Sequence, residues 1–172
     1  MRFAVCCFLS AVFAMGLALQ NAAAEDKMVY ASKASSKFVN LPGLPTCITA
    51  SVQSGDPSKG PSVILAKFPT GCIVPWHWHT ADEQLMIVSG TGKVAMKDGQ
   101  PTSVHSGDYV NLPGKNVHQF TCMAACTFFI APSAAFDIHY VDKSGKEISP
   151  DEAFKSNSKM PSKKGMKKDT RM

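Results

Sequence analysis

Two histidines separated by one residue, and a glutamate four residues after the second, form the most ligand-rich stretch of this sequence. They are His77, His79 and Glu83, within GCIVPWHWHTADEQLMIVSG at residues 71–90. Successive side chains of a β-strand point to opposite faces, so an extended chain places both imidazoles on one side, whereas a helix would separate them by about 200°. The pattern therefore indicates paired imidazole ligands on a strand. Trp76 and Trp78 would then pack from its opposite face against a second sheet or a partner subunit.

A carboxylate beside these histidines would complete a metal site. Asp82 and Glu83 both follow the short connection after the second histidine, and the strand period alone does not choose between them. We predict Glu83, because it begins the apolar run EQLMIVS and would share an inward face with Leu85 and Ile87. A buried ionised carboxylate is costly by itself, and a cation flanked by neutral imidazoles is the ordinary way to satisfy it.

A third imidazole comes from a different part of the chain. His118 lies in NVHQFTC, where Phe120 and Cys122 would share its face, while His105 and His139 are predicted to be surface or packed side chains. Three neutral imidazoles and a carboxylate suit Mn, Fe, Co, Ni, Cu or Zn better than Ca or Mg, and they leave one or two coordination positions open. The predicted ligands of a divalent transition metal are His77, His79, Glu83 and His118, and the predicted pocket residues are Leu85, Ile87, Phe120 and Cys122.

Short apolar runs separated by turn residues predict an all-β chain. Runs such as CITASV, SVILAKF and CTFFIAP alternate with segments such as SGDPSKGP, SGTG and LPGKN, which are rich in Gly, Pro, Asp and Ser. Strands at this spacing, with no helical period between them, predict an antiparallel sandwich, jelly roll or barrel and exclude a doubly wound α/β fold. One short helix is predicted to begin after Ser149, which forms a capping box with Glu152, and to end near Ser156.

The two ends of the chain differ from its centre. Residues 1–24 combine a basic start, an apolar run short for a membrane span and small residues before Glu25, which predicts a cleaved signal peptide and a periplasmic or secreted protein. No later apolar segment is long enough to span a membrane. Residues 155–172 hold seven of the eighteen Lys and Arg and a single acid, which predicts a disordered basic tail, either solvated or touching an anionic surface. We expect no nucleic-acid partner.

Export would bring the cysteines into an oxidising compartment. Cys47, Cys72, Cys122 and Cys126 remain after removal of the signal peptide, and four cysteines allow three pairings. We expect Cys122 and Cys126 to face each other across a tight hairpin within disulfide reach, with buried free thiols as the alternative. The sequence does not test the leftover pair, Cys47 with Cys72.

The ligand residues occur in two motifs that resemble those of the cupin superfamily. The first motif is matched at all of its fixed positions, which are Gly71, His77, His79, Glu83 and Gly90. The second is matched at Gly107, Pro113 and His118, but Lys115 replaces its usual glycine and Cys122 stands where an asparagine is frequent. The three histidines and the glutamate that cupins use as metal ligands are therefore complete.

The resemblance implies a fold and an assembly. Residues 41–154 would form a double-stranded β-helix, which is a jelly-roll barrel, with the short helix at its C-terminal end, and residues 25–40 would be a leader segment. The chain looks like small secreted single-domain cupins of unassigned activity, and the family implies a homodimer. Such motifs identify a fold and a metal site, but they do not identify a reaction.

Two functions fit these expectations. The first is a metal-dependent oxygenase or isomerase that acts on a small organic molecule, with the metal as Lewis acid or redox centre. The second is a non-catalytic protein that binds or senses a metal or a small ligand in the cell envelope. Apart from the ligands, Cys122 is the single titratable residue among those predicted to face inward, so the sequence names no separate acid or base.

Overall fold

A computed structural model describes residues 28–158 of the chain, which form eight β-strands and one α-helix. The predicted signal peptide and residues 159–172 of the predicted basic tail lie outside the described residues. The strands are β1 Thr49–Gly55, β2 Ser62–Phe68, β3 Ile73–Trp78, β4 Glu83–Met96, β5 Thr102–His105, β6 Tyr109–Leu112, β7 His118–Pro132 and β8 His139–Tyr140, and the helix is α1 Pro150–Ser158.

The strands pair antiparallel around one apolar core. β7 lies at the centre of the pairing and contacts β2, β3 and β4, while β1 extends β2 and β8 extends β3. β4 also pairs with β5 and β6. Burial alternates along β7, where His118, Phe120 and Cys122 are buried and Gln119 and Thr121 are half-buried, as expected when one face of a strand meets a core. This arrangement confirms the predicted all-β jelly-roll barrel.

Two long strands replace the four short ones that the turn residues predicted. β4 runs through the segment SGTG, and β7 runs through CMAAC, with register shifts in their pairing between Ile87 and Gly92. The predicted hairpin at CMAAC is wrong, because the two halves of β7 pair with successive parts of β4 and not with each other. Bulges bend both strands here, and a side chain on Gly90 would place its Cβ 2.2 Å from the carbonyl oxygen of Ala125, so a glycine is needed at this corner.

The disulfides are formed within this bend and at the start of the barrel. The bend brings the Cα atoms of Cys122 and Cys126 to 5.9 Å, and their sulfur atoms are bonded. The second bond joins Cys47, in the segment before β1, to Cys72, just before β3. The expected pairing of Cys122 with Cys126 is therefore present, but a bulge creates it and not a hairpin.

The structure differs from the sequence predictions at the smaller elements, where few residues are buried and the sequence shows little alternation. β5 was not predicted, because Val104 is its single buried residue and no alternation marks it in the sequence. β8 contains only two residues, His139 and Tyr140. The predicted helix is present and carries its capping box, in which the Ser149 N–H donates to Glu152 Oε2 at 3.0 Å and the Glu152 N–H donates to Ser149 Oγ at 3.3 Å. The helix continues to Ser158, so the predicted start of the tail at residue 155 is too early.

Within residues 28–158, no helix has the length and apolar character needed to cross a membrane.

Candidate metal centre

Three histidines meet inside the barrel. His77 lies on β3 and pairs in register with His118, the first residue of β7, while His79 directly follows β3. Their side chains each offer a nitrogen atom, and these atoms lie within 4.8 Å of one another. All three residues are buried, with 2% to 4% of their surface exposed. Two neighbouring strands therefore bring together imidazoles that are about forty residues apart in the chain.

Backbone carbonyl groups set the tautomer of each imidazole. Nδ1 of His77 lies 2.6 Å from the Pro75 carbonyl oxygen, Nδ1 of His118 lies 2.9 Å from that of Asn116, and Nδ1 of His79 contacts that of Asp137. A carbonyl oxygen accepts and cannot donate, so Nδ1 carries the proton in each ring. In the neutral form of each ring, Nε2 therefore carries the lone pair. The Nε2 atoms of His79 and His118 are buried and have no hydrogen-bond partner.

Glu83 faces this cluster from the first position of β4. Its Oε1 lies 3.6 Å from His79 Nε2 and its Oε2 lies 3.7 Å from His118 Nε2, and the residue is 6% exposed. Asp82, the alternative carboxylate, is turned to the neighbouring turn, where its Oδ1 accepts the N–H of Gly114 at 2.7 Å. The structure therefore brings together all four residues that the sequence analysis predicted as metal ligands.

The charges in the cluster match a bound cation. Burial, together with the neighbouring His118 and His79, holds the pKa of His77 well below its usual value. Burial by itself would raise the pKa of Glu83, but His79 and His118 outweigh it, so the pKa of this carboxyl lies below its usual value. With a metal bound, the unprotonated Nε2 atoms and the ionised carboxylate would all offer lone pairs to one buried space, which is the donor set of a divalent transition metal. The residues present therefore fit such a metal.

The cluster opens into a cavity of about 40 Å³, measured as the space available to the centres of water molecules. Its wall is apolar apart from the three histidines and Glu83. Of the four residues predicted to line the pocket, Leu85 and Phe120 do so, whereas Ile87 and Cys122 do not. These two do face inward, but they lie close to the bend of β4 and β7, and Cys122 is bonded to Cys126.

The cavity has a solvent-facing rim that sequence reasoning missed. Four of its lining residues are half-buried, while the others are buried, and they come from the segments before β1 and between β7 and β8. We refer to these as the rim residues, which are Leu41, Leu44, Phe136 and Ile138. The rim residues lie in connections without a strand period, so no sequence pattern marks them.

A group of polar residues supports His79 from the rim side. Asp137, whose carbonyl accepts from His79, also accepts the Thr80 N–H through Oδ1 at 2.8 Å. His139 lies between carboxylates, with Nε2 3.2 Å from Asp137 Oδ2 and Nδ1 2.9 Å from Glu147 Oε1. Its ring stacks on Trp78 with the centroids 3.9 Å apart. His139 is thus a packed surface residue and not a ligand.

The altered second motif keeps the backbone shape that a glycine would allow. Lys115 stands where the glycine is usual, and its φ of 62° lies in the left-handed region. Its N–H donates to the carbonyl oxygen of His79 at 2.7 Å, which connects this turn to the end of β3, where His77 and His79 lie. The turn is therefore retained at the cost of a backbone conformation that a lysine seldom adopts.

Comparison with known proteins identifies this barrel. A family model described as a cupin domain matches residues 64–131. The polyketide cyclase RemF from Streptomyces resistomycificus is 16% identical over 67% of this chain and 87% of its own, with a TM-score of 0.58. An RmlC-like cupin from Ralstonia eutropha is 17% identical over 74% of this chain and 85% of its own, with a TM-score of 0.55. A search of curated proteins found no match to this sequence.

At these identities the likeness to solved structures shows the fold and not an activity. The matched family segment begins in β2 and ends in β7, so it contains β3, β4 and the start of β7, from which the buried histidines and Glu83 extend. Both the sequence match and the shared barrel point the same way, and we conclude that residues 64–131 are a cupin domain within a barrel of the cupin fold.

Proposed function

We propose that this chain is an exported cupin that binds a divalent transition metal through His77, His79, Glu83 and His118 and offers the metal to a small molecule in the apolar cavity. One observation carries the proposal. The Nε2 atoms of His79 and His118 are buried without a hydrogen-bond partner and face the carboxylate of Glu83. Buried polar atoms normally have partners, and a cation would satisfy all of these acceptors together.

The protein's own residues would hold the metal and shape its surroundings. The three Nδ1–H groups are held by backbone carbonyls, which orients the rings before a metal arrives and favours binding over rotation of the side chains. The apolar wall excludes water and strengthens electrostatic interactions inside the cavity. When bound, a divalent transition metal supplies Lewis-acid or redox chemistry at its open coordination positions.

Catalysis by an oxygenase or isomerase is the second candidate function. The observation that favours it is the position of Glu83, whose carboxylate lies between His79 and His118 and is the one carboxylate in the described cavity lining. In its ionised form this carboxylate could accept a proton from a bound molecule. RemF is a polyketide cyclase, which shows that an enzyme can use this barrel, although 16% identity transfers no activity.

We propose further that the mature protein begins near Glu25 in the periplasm or outside the cell and forms a homodimer. The signal-type segment at residues 1–24 supports export, and so do the disulfides Cys47–Cys72 and Cys122–Cys126, because such bonds persist in oxidising compartments. The expectation of a homodimer rests on the family alone.

The test is elemental analysis of the untagged full chain after expression in a bacterial host that can export it. The purified protein should contain about one transition-metal ion per chain. The variant His118→Gln should lose most of this metal and still fold, as judged by circular dichroism. His105→Gln is the matched control, because His105 is exposed and outside the cluster, and it should retain the metal.

The same preparation tests the remaining parts of the proposal. Its intact mass should correspond to cleavage near Glu25 with two disulfides, and its sedimentation should correspond to a dimer. Turnover of diols, diketones or thiols with oxygen uptake, or turnover in isomerase assays, would favour catalysis, and its absence in metal-loaded protein would favour binding alone. A chain that contains no metal and cannot be loaded with Mn, Fe, Co, Ni, Cu or Zn would refute the metal centre.

A further inference from the structure

We propose that the cavity selects a compact ligand with one polar head group and a hydrocarbon body, and that Phe136 at the rim limits the length of this body. The inference rests on the proposed metal centre and adds the class of ligand that the centre would receive. Three features of the described cavity carry it: the chemistry of its wall, its volume and the way its rim is held.

The wall offers a polar partner at one place only. The residues that line the cavity are three histidines, Glu83 and sixteen apolar side chains, with no Lys, Arg, Ser, Thr, Asn or Gln among them. A second charge on a ligand would therefore have no cation to pair with, and a remote hydroxyl would have no hydrogen-bond partner. Each such unsatisfied group costs about 1–3 kcal/mol on burial, so sugars, phosphates and dicarboxylates are disfavoured.

The volume of the cavity sets the size of the ligand. One water occupies about 10–15 Å³, and here about 40 Å³ is available to the centres of water-sized groups alone, so the cavity holds several such groups. The rings of Phe68, Phe120 and Phe128 lie in mutual contact along its buried wall, with centroids 4.8 to 5.5 Å apart. A ligand of a few non-hydrogen atoms therefore fits, and a longer one would have to extend past the rim.

The rim is held in place on both sides. In the segment between β7 and β8, the N–H of Phe136 donates to the Pro57 carbonyl oxygen at 2.8 Å, and the phenyl ring lies 5.0 Å from the ring of His79. The segment before β1 is held at Gly43, whose carbonyl oxygen accepts a hydrogen bond at 2.8 Å from the hydroxyl of Tyr140 on β8. Because both segments are connected to the barrel, opening the rim would break these contacts, and the size limit is built into the folded chain.

The experiment measures binding of carboxylates of different polarity and length to the cobalt-loaded full chain by the change in its visible absorption. Butyrate, 4-hydroxybutyrate and succinate all contain four carbons, and the second and third carry a polar group at the far end. We expect butyrate to bind at least about tenfold more tightly than the other two, which corresponds to one unsatisfied buried group. Butyrate should also bind about tenfold more tightly than octanoate, because the rim opposes the longer chain.

Substitution of the rim tests the role of Phe136. Phe136→Ala should remove most of the difference between butyrate and octanoate and leave the preference for butyrate over succinate in place. Phe129→Ala is the matched control, because Phe129 is half-buried on β7 and does not line the cavity. If Phe136→Ala does not fold, Leu44→Ala replaces it, since Leu44 belongs to the same rim.

The outcomes separate this inference from the proposed function. A chain that takes up no cobalt overturns the metal centre and the ligand class together. Cobalt uptake with succinate or 4-hydroxybutyrate bound as tightly as butyrate overturns the ligand class and leaves the metal centre intact. Unchanged discrimination between butyrate and octanoate in a folded rim variant overturns the role of the rim.

Discussion

Replacement of Asp137 by alanine should weaken metal binding, although Asp137 is not a ligand. Its backbone carbonyl accepts the Nδ1–H of His79 and so orients that ring toward the cluster. Its carboxylate is held by the Thr80 N–H at 2.8 Å and by His139 Nε2 at 3.2 Å. Removal of the carboxylate releases the segment that carries the carbonyl, and with it the orientation of His79.

The expected size of the effect follows from these contacts. A hydrogen bond to a charged group contributes about 1.5–3 kcal/mol when it is well shielded. The side chain of Asp137 is 36% exposed, so solvent screening reduces this to about 1–2 kcal/mol for the two contacts together. If that free energy is lost from the orientation of His79, metal affinity falls by about tenfold, which is within the range known for residues that support metal ligands.

Competition with a chelator of known affinity measures this change. The matched control is Glu147→Gln, because Glu147 contacts the other side of His139 at 2.9 Å and does not contact Thr80. We expect the control to retain the affinity of the parent chain. A folded Asp137→Ala variant with unchanged affinity would refute the reasoning, and so would an equal loss in Glu147→Gln.

Two further predictions concern stability. Lys115→Gly should raise the free energy of unfolding by about 1 kcal/mol in thermal or urea unfolding, because glycine adopts the left-handed conformation at φ 62° without strain. Lys115→Ala is the control and should show no such gain. An equal gain in both variants would contradict the proposed strain at this residue. The second concerns His139: burial opposes its charge, but Glu147 and Asp137 outweigh this and raise its pKa. Its stabilising contribution is therefore complete below the unfolded pKa and is lost as pH rises through the folded one, so His139→Gln should destabilise the chain more at about pH 5 than at about pH 8. A pH-independent difference in unfolding free energy would contradict that assignment.

Patterns that depend on neighbouring residues could be predicted from the sequence. The period of two around His118 reports which side chains face the core, because a strand alternates its faces wherever it lies. The spacing of His77 and His79 marks a shared face for the same reason. The capping box of Ser149 is equally local, since its hydrogen bonds join residues three apart.

Features that depend on distant segments were decided by the tertiary structure. The sequence favoured Glu83 over Asp82, but the contact that holds Asp82 away from the site comes from another part of the chain, where the Gly114 N–H donates to Asp82 Oδ1. The bend that merges four predicted strands into β4 and β7 depends on the close approach of Gly90 to Ala125. Neither contact could be predicted from the residues that neighbour it in the sequence.

The rim residues show most clearly which features the sequence determined and which the tertiary structure decided. The sequence by itself determined an all-β chain with a set of metal ligands, because alternation and motif spacing are properties of short segments. The tertiary structure decided which connections close the cavity, because Leu44 and Phe136 meet the site only after the barrel has formed. Connections carry no repeating pattern of burial, so their position over the site is set by the strands that they join.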